Sequence, residues 1–225
     1  DRRMRIVAAD DVSLADMVAT HCDEPFADAS ALPTFRVSQL AREEVTVALS
    51  GDGADEAFAG YRRLVFQHQE ERARRLIPGL VRRNLVGPLA RAWPKMDWAP
   101  RPLRAKSTLT GLARSGAEAY ALSIGVTDPH LRAQLFSADA QRELNGYVAE
   151  ERWWRTMANA PALEPLDAAQ YADMKIALPG DILTKVDRMS MAVSLEAREP
   201  LLDHHLVEFA ATLPANLRVR GSTGK

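Results

Sequence analysis

The chain has 225 residues, of which 47% are hydrophobic and 26% charged, and this is enough for one large globular domain or two small ones. Its formal net charge of −1 offers no overall attraction for nucleic acid or an anionic membrane, so we expect neither as a partner. No apolar run predicts a membrane span, and a single cysteine, Cys22, excludes an internal disulfide and fits a cytoplasmic protein.

The first part of the chain alternates between strand-like and helix-like patterns. Residues 4–8 predict a short strand, residues 11–21 and 34–43 predict helices, and a loop lies between the two helices. Val45–Leu49 is β-branched and bounded by charge and glycine, which predicts a buried parallel strand. This order predicts an α/β unit with a parallel sheet.

Residues 62–106 are rich in arginine and lysine and contain five prolines, which predict short helices and turns. The basic residues could form an anion-binding or RNA-binding face, or a solvated surface on which arginine stems cover apolar area. We favour the solvated surface, because no aromatic residues alternate with the basic ones as a stacking platform requires. Trp93 and Trp98, which lie among the prolines, are predicted to be packing anchors.

From residue 107 to residue 213 the helical period dominates, and no strand is predicted. Pro179-Gly180 predicts a break, after which Asp181 would cap a second helix that runs to Leu195. We therefore expect an α/β part over residues 1–61 and a mainly α-helical part over residues 62–225.

The most informative motif is SGDGADE at residues 50–56, directly after the strand predicted to end at Leu49. Ligands of open parallel sheets bind beyond the carboxyl ends of strands, and glycines let the backbone approach a ligand closely. Backbone N–H groups and a helix that starts near Ala54 would favour phosphate, and the three acids would then require Mg²⁺. The alternative is a plain turn whose acids complement the helix dipole.

Three blocks of the sequence resemble the glutamine-hydrolysing asparagine synthetase family. They are VALSGDGADEAFAGYRR at 47–63, HCDEPFADASALPT at 21–34 and GDILTKVDRMSMAVSLEAREPLLDHHLVEFAATLP at 180–214. They occur in the family order. The Arg-rich middle of the chain and the segment LPGDILTKVDRMSMA are most similar to the amidotransferases associated with exosortase A systems. The resemblance implies part of the C-terminal synthetase domain, an ATP-pyrophosphatase of the adenine nucleotide alpha hydrolase-like fold followed by helices.

The resemblance also implies a reaction and its partners. With ATP and Mg²⁺ as cofactors, the parent enzyme would adenylate a small carboxylate, either aspartate or a sugar acid. Ammonia from a glutaminase domain of the same parent chain would then form the amide, and AMP and pyrophosphate would be released. A homodimer is a further expectation from the family.

Residue roles follow from the motif positions that match the family. Ser50, Gly51 and Gly53 would bind the nucleotide, Asp52 would be the catalytic carboxylate where the family often has glutamate, and Asp55 would bind Mg²⁺. Polar residues outside the motif are weaker candidates for substrate contact, and helix caps, loop hydrogen bonds or an i,i+4 surface pair explain them equally: Asp181, Lys185, Asp23 and Glu24.

Parts of the family pattern do not occur in the sequence. They are the first ATP signature S-G-G-x-D-S, the downstream R-x-K-x-x-F segment and the N-terminal glutaminase domain. We therefore expect the parent to be an enzyme and this chain to be inactive alone. The alternatives are a ring-closing carboxylate-activating synthetase, against which Asp52 argues, a non-catalytic module of an exopolysaccharide system, and a tRNA-modifying ATP-pyrophosphatase.

Overall fold

The computed structural model describes most of the chain. The described residues are Met4, 14–94, Met96, Trp98, Pro100, 104–127, 129–162 and 164–219. The predicted strand at 4–8, apart from Met4, and the first residues of the predicted helix 11–21 lie outside them. No described helix is long and apolar enough to cross a bilayer.

Helices dominate the described residues, and a small parallel sheet accompanies them, so the α/β expectation is confirmed at this level. In chain order the elements are α1 (Ala15–His21), α2 (Ala31–Arg42), β1 (Val47–Leu49), α3 (Ala54–Phe58), α4 (Arg62–Leu76), α5 (Gly79–Val81), a π-helical turn (Arg82–Val86), α6 (Gly87–Ala92), α7 (Lys106–Ala113), α8 (Gly116–Ile124), α9 (Pro129–Leu135), α10 (Ala138–Leu144), α11 (Glu150–Ala158), α12 (Pro165–Ala172), a longer π-helical segment (Asp173–Leu183), α13 (Thr184–Met191), β2 (Glu196–Arg198), a 3₁₀ turn (Pro200–Leu202), α14 (His204–Thr212) and α15 (Ala215–Arg218).

The chain divides into two compact units. The first draws on Asp1–Ala57 and Met174–Thr212, and the second on Phe58–Asp173 and Leu213–Lys225. The sequence placed a division at residue 61 and assigned everything after it to the helical part. In the structure, the later stretch Met174–Thr212 supplies a strand, β2, and two α-helices, α13 and α14, to the first unit.

The sheet of the first unit is the parallel pair β1–β2, with Val47 opposite Glu196 and Leu49 opposite Arg198. The parallel strand after residue 45 is thus confirmed, but it is shorter than predicted and not buried, since Leu49 is 75% exposed. The expectation of no strand between residues 107 and 213 is wrong. The three residues of β2, Glu-Ala-Arg, carry no β-branched or alternating pattern that could have revealed it.

The core of the first unit forms where α1, α2 and α13 pack together. Its buried side chains are Cys22, Ala31, Phe35 and Met189, against which Met17 and Val18 pack. Cys22 is thus a small buried apolar residue, and burial raises the pKa of its thiol. The packing fixes α13 against α2, which positions the polar residues described below.

The predicted helix break at Pro179 is wrong. The π-helical segment Asp173–Leu183 runs through Pro179-Gly180 and continues directly into α13. A π-helical turn can omit one regular backbone bond, so a residue without an N–H group is tolerated there. Asp181 consequently lies inside a continuous helical run and is not an N-cap.

The second unit is helical and has its own core around Leu64, Tyr120 and Leu166. A buried polar group, the Tyr120 cluster (Arg63, Tyr120 and Asp173), lies beside this core. The Tyr120 hydroxyl and the Arg63 guanidinium both donate to Oδ2 of Asp173, at 2.7 and 3.0 Å. Sharing one carboxylate between two donors satisfies the charge that burial would otherwise penalise.

Two expectations for the basic stretch need correction. Pro88 does not separate two helices, because it lies at the second position of α6 inside a continuous helical run over 79–92. Trp98 is not a packing anchor, because its side chain is 83% exposed.

Candidate functional site

The Ser50 turn (residues 50–53) connects β1 to α3. The backbone N–H of Ser50 donates to the carbonyl of Arg198 at 2.8 Å, which extends the parallel ladder by one bond. The Ser50 hydroxyl donates to the Asp52 carboxylate, and the Ala57 N–H donates to the Gly53 carbonyl at 3.0 Å as α3 begins. The turn therefore places Ser50 and Asp52 at the carboxyl end of β1, as predicted.

The two glycines of the Ser50 turn have different surroundings. Gly53 has a φ of +88°, and a Cβ there would lie 2.0 Å from Cδ2 of Leu202. A Cβ added to Gly51 would meet nothing within 4 Å. The fold itself therefore requires Gly53, whereas packing in the described structure does not explain Gly51, and the open side of its backbone suits the close approach of a ligand.

A cavity of about 380 Å³ lies beside the Ser50 turn in the first unit. Residues of α2, β1, β2 and α13 and of the adjoining loops line it, and its polar members are Ser30, Thr34, Ser38, Ser50, Asp52, Lys185 and Ser190. Mostly apolar walls with a few polar groups are typical of sites for small molecules. The structure thus brings together three of the predicted site residues, namely Ser50, Asp52 and Lys185.

Lys185 is held by residues of the loop before α2. Its ammonium donates to Oδ2 of Asp28 at 2.7 Å and to the Ser30 hydroxyl at 2.8 Å. Burial alone would raise the pKa of Asp28, but hydrogen bonds from Lys185 and Ser30 lower it to about 2. Sequence reasoning missed Asp28 and Ser30, although both lie in the block at 21–34 that resembles the family.

Asp23 and Glu24 lie apart from the Ser50 turn. They line a different cavity, of about 670 Å³, whose walls come from residues between Ala15 and Leu32. The carboxylate of Asp23, a residue with a φ of +59°, pairs with the Arg188 guanidinium at 2.9 Å. The ion pair with Arg188 gives Asp23 a structural role. Asp23 does not line the cavity beside the Ser50 turn.

Glu199 is a further acid near the Ser50 turn that sequence reasoning missed. Burial, together with the negative charges of Asp52 and Asp187, raises the pKa of its carboxyl group. Its neighbours in the chain have other partners: the Arg198 guanidinium donates to Glu196 at 2.7 Å, and the Asp203 carboxylate accepts from the backbone N–H of His205. No motif in the sequence distinguishes Glu199 from these neighbours, and only the fold brings it near Asp52.

Comparison with known proteins places the chain in a family. The asparagine synthase family profile matches residues 1–225. The chain belongs to the asparagine synthase family. The resemblance of the three sequence blocks is therefore confirmed at the level of the family.

Three proteins with curated names match nearly the whole chain. A Mycobacterium tuberculosis protein provisionally named asparagine synthetase (glutamine-hydrolyzing) is 33% identical over 98% of the chain and 32% of its own length. Asparagine synthetase (glutamine-hydrolyzing) 1 of Bacillus subtilis is 30% identical over 92% of the chain and 31% of its own length. Amidase chyE of Penicillium rubens is 23% identical over 96% of the chain and 34% of its own length.

The chain spans about a third of the length of these relatives. No solved structure matches it.

The acids of this asparagine synthase domain constrain how a metal could bind. Glu56 is buried, Asp55 is half-buried, and no three potential ligands among His, Cys, Asp and Glu come together within the described residues. Mg²⁺ bound through Asp55 and the phosphates of a ligand would fit a single half-buried carboxylate, because Mg²⁺ commonly takes one or two carboxylates and keeps phosphate and water ligands.

Proposed function

We propose that this chain is part of a glutamine-dependent amidotransferase that activates a carboxylate with ATP. The substrate carboxylate, of aspartate or of a sugar acid, attacks the α-phosphorus of ATP and releases pyrophosphate. Ammonia supplied by a glutaminase domain of the parent then attacks the acyl carbon and releases AMP. The fold expected for this chemistry is the adenine nucleotide alpha hydrolase-like fold of ATP-pyrophosphatases.

One observation carries the proposal: in an asparagine synthase domain, Ser50, Asp52 and Lys185 line the same cavity. Open backbone at Gly51 can approach the nucleotide, and the Lys185 ammonium provides positive charge at the cavity for a carboxylate or phosphate. Catalysis at such a site consists mainly of positioning and charge stabilisation.

The residues of the turn would have separate roles. Ser50, Gly51 and Gly53 would shape the nucleotide site, and Asp55 would hold Mg²⁺, which neutralises charge on the pyrophosphate. Asp52 would guide the ammonia or accept its proton, and the Ser50 hydroxyl that donates to it fixes its orientation. Asp52 is shorter than the glutamate common in the family, so Glu199 beside it is a second carboxylate that could take part.

The test is a product assay on the full-length parent with ATP, Mg²⁺, ammonia or glutamine, and a panel of carboxylates. We expect AMP and pyrophosphate to form only with an accepted carboxylate, and Asp55→Asn to lower the rate about 100-fold or more. Asp139→Asn is the matched control, because Asp139 is an exposed acid on α10 of the second unit.

The outcomes separate the alternatives. Turnover with aspartate would identify an asparagine synthetase, and turnover with a sugar acid would keep the chemistry and change the substrate. A folded parent that turns over no nucleotide with any acceptor would overturn the proposal in favour of a non-catalytic module. Equal losses in Asp55→Asn and Asp139→Asn would remove the assigned role of Asp55.

A further inference from the structure

Glu199 is held beside the Ser50 turn by contacts on either side of it in the chain. Just before Glu199, the carbonyl of Arg198 accepts from the backbone N–H of Ser50 at 2.8 Å. Just after it, Leu202 packs against Gly53, because a Cβ added to this glycine would lie 2.0 Å from Cδ2 of Leu202. The first and the last residue of the turn thus fix the chain on both sides of Glu199.

The register of the parallel sheet places Glu199 opposite Ser50, because the bond from the Ser50 N–H to the carbonyl before Glu199 continues the ladder. Ala48 and Ala197, which pair two residues earlier, line the cavity beside the turn, as Ser50 does. Side chains two residues apart along a strand point to the same face of a sheet. Glu199 therefore continues the face that borders the cavity, beside the turn that carries Asp52.

The charges that act on Glu199 most strongly are negative. Burial, followed by the charges of Asp52 in the turn and of Asp187 on α13, raises the pKa of its carboxyl group. Lys185, which also lines the cavity, donates to Asp28. Taking up a proton would relieve the repulsion between the carboxylates, so the surroundings of Glu199 favour protonation.

Asp52 and Glu199 differ in what they can do for a nucleophile. The Asp52 carboxylate accepts from the Ser50 hydroxyl, which fixes its orientation. Glu199 is one methylene longer, so its carboxyl group reaches further from the backbone, and its surroundings favour the uptake of a proton. A general base is more effective when its pKa is raised towards the working pH. Of the two, Asp52 is therefore suited to positioning and Glu199 to proton transfer.

We propose that Glu199 accepts the proton that ammonia loses when the amide forms. The inference rests on the proposed amidotransferase function and assigns one of its steps to a residue outside the SGDGADE motif. Asp52 accepts a hydrogen bond from the ammonia and orients it, while Glu199 removes a proton. The carboxyl edge of the sheet thus supplies one acid after each strand, Asp52 after β1 and Glu199 after β2.

Atoms and charges balance in this step. The ammonia nitrogen forms a bond to the acyl carbon of the activated carboxylate, and the carbonyl π electrons move onto oxygen. The nitrogen, now positively charged, transfers one proton to the Glu199 carboxylate. The carbonyl re-forms as the bond from carbon to the phosphate oxygen breaks, and AMP leaves with that electron pair. Glu199 then gives its proton to water, which restores the base.

The test measures the two halves of the reaction separately in the full-length parent. Exchange of labelled pyrophosphate into ATP, with the accepted carboxylate and without ammonia, reports carboxylate activation alone. Amide formation from ammonia reports both halves. Glu199→Gln should lower the rate of amide formation about 100-fold or more, the usual contribution of a general base, and should leave the exchange rate within about twofold.

A less basic nucleophile sharpens the test. After it has attacked, hydroxylamine loses its proton more readily than ammonia does, so it depends less on a general base. Glu199→Gln should therefore slow the reaction with hydroxylamine by only about tenfold or less. A side chain that merely shaped the site would slow the reactions of both nucleophiles equally.

Glu196→Gln is the matched control. Glu196 lies three residues before Glu199, on the other face of β2, where it is exposed and accepts from Arg198. This substitution should change neither exchange nor amide formation. Glutamine keeps the shape of glutamate, so the unfolding midpoints of both variants in urea should stay close to that of the unchanged parent, which excludes misfolding.

Three results would overturn the inference alone. Unchanged amide formation in Glu199→Gln would exclude Glu199, and a large loss in Asp52→Asn beside it would assign the proton to Asp52. Equal losses in exchange and amide formation would show that Glu199 acts on carboxylate activation or on the fold. Equal losses with ammonia and hydroxylamine would show a positioning role. By contrast, no exchange in the unchanged parent with any carboxylate would overturn the proposed function, and the inference with it.

Discussion

The Tyr120 cluster of the second unit and the Ser50 turn of the first both set a carboxylate against a hydroxyl group, but they differ in burial. Asp173 and Tyr120 are buried, and Asp173 accepts from Tyr120 and Arg63. Asp52 is half-buried, accepts from Ser50 and lines a cavity. One carboxylate is enclosed among protein donors, while the other faces space that a ligand could enter.

The protonation properties of the Tyr120 cluster follow from its enclosure. Burial and the Asp173 charge raise the pKa of Tyr120, so its phenol stays protonated. Burial alone would lower the pKa of Arg63, but Asp173 raises it, so the guanidinium stays charged. Because Tyr120 and Arg63 keep their charge states near neutral pH, the Tyr120 cluster is suited to stabilising the fold. A carboxylate that takes part in a reaction has to be reachable by a ligand, as Asp52 is.

The largest effect is expected from Asp173→Ala. It removes the shared acceptor and leaves the Arg63 charge and the Tyr120 hydroxyl without it, which should cost about 3–5 kcal/mol of the free energy of unfolding. Equilibrium unfolding in urea measures this. Asp139→Ala, at an exposed acid, should cost less than about 0.5 kcal/mol, and a similarly small loss in Asp173→Ala would remove the contrast between the two regions.

The next effect concerns the part of the Ser50 turn that the fold requires. Gly53→Ala should cost about 2–3 kcal/mol, because it combines a left-handed backbone with an overlap against Leu202. Gly146→Ala is the matched control, with a φ of +80° but no atom within 4 Å of the added Cβ, so it should cost only about 1–2 kcal/mol. In a double-mutant cycle, Gly53→Ala should cost less in a Leu202→Ala background than in the unchanged chain, and an equal cost in both backgrounds would locate the strain elsewhere.

The sequence predicted local elements better than their partners. The motif at 50–56 predicted a strand end, a turn and a helix near Ala54, and the structure has all three. It could not predict that β1 pairs with Glu196–Arg198, because that pairing joins distant parts of the chain and β2 has no strand pattern of its own. The break predicted at Pro179 does not occur, because a π-helical segment accommodates a proline that would interrupt a regular helix.

The residues of the candidate site could likewise be predicted only in part. Ser50, Asp52 and Lys185 were chosen from the sequence and line one cavity. The sequence did not single out Asp28, which pairs with Lys185, or Glu199, which lies near Asp52. Their environments arise from tertiary contacts that no spacing in the sequence encodes.

An intermediate effect is expected for the ion pair that holds Lys185. The pKa of Asp28 falls from 3.8 to about 2 on folding, so its contribution to stability is present above about pH 4 and is lost as the pH falls through about 2. We expect about 1–2 kcal/mol of stability to be lost in this way, since the pair is partly exposed. Urea unfolding at a series of pH values should show a shallower acid slope in Asp28→Asn and in Lys185→Met, and an unchanged slope in both would contradict the prediction.

The smallest effect on stability, and the sharpest test of the comparison, is expected at Gly51. Gly51→Ala adds a methyl group where the described structure has open space, so the free energy of unfolding should change by less than about 0.5 kcal/mol. If the turn binds nucleotide as proposed, the same methyl group blocks the approach of the ligand and should raise the KM for ATP of the full-length parent about tenfold or more. Gly53→Ala would lower stability and activity together, whereas Gly51→Ala should separate them. An unchanged KM in Gly51→Ala would mean that the open side of the turn is not where the nucleotide lies, and loss of stability would mean that packing already constrains Gly51.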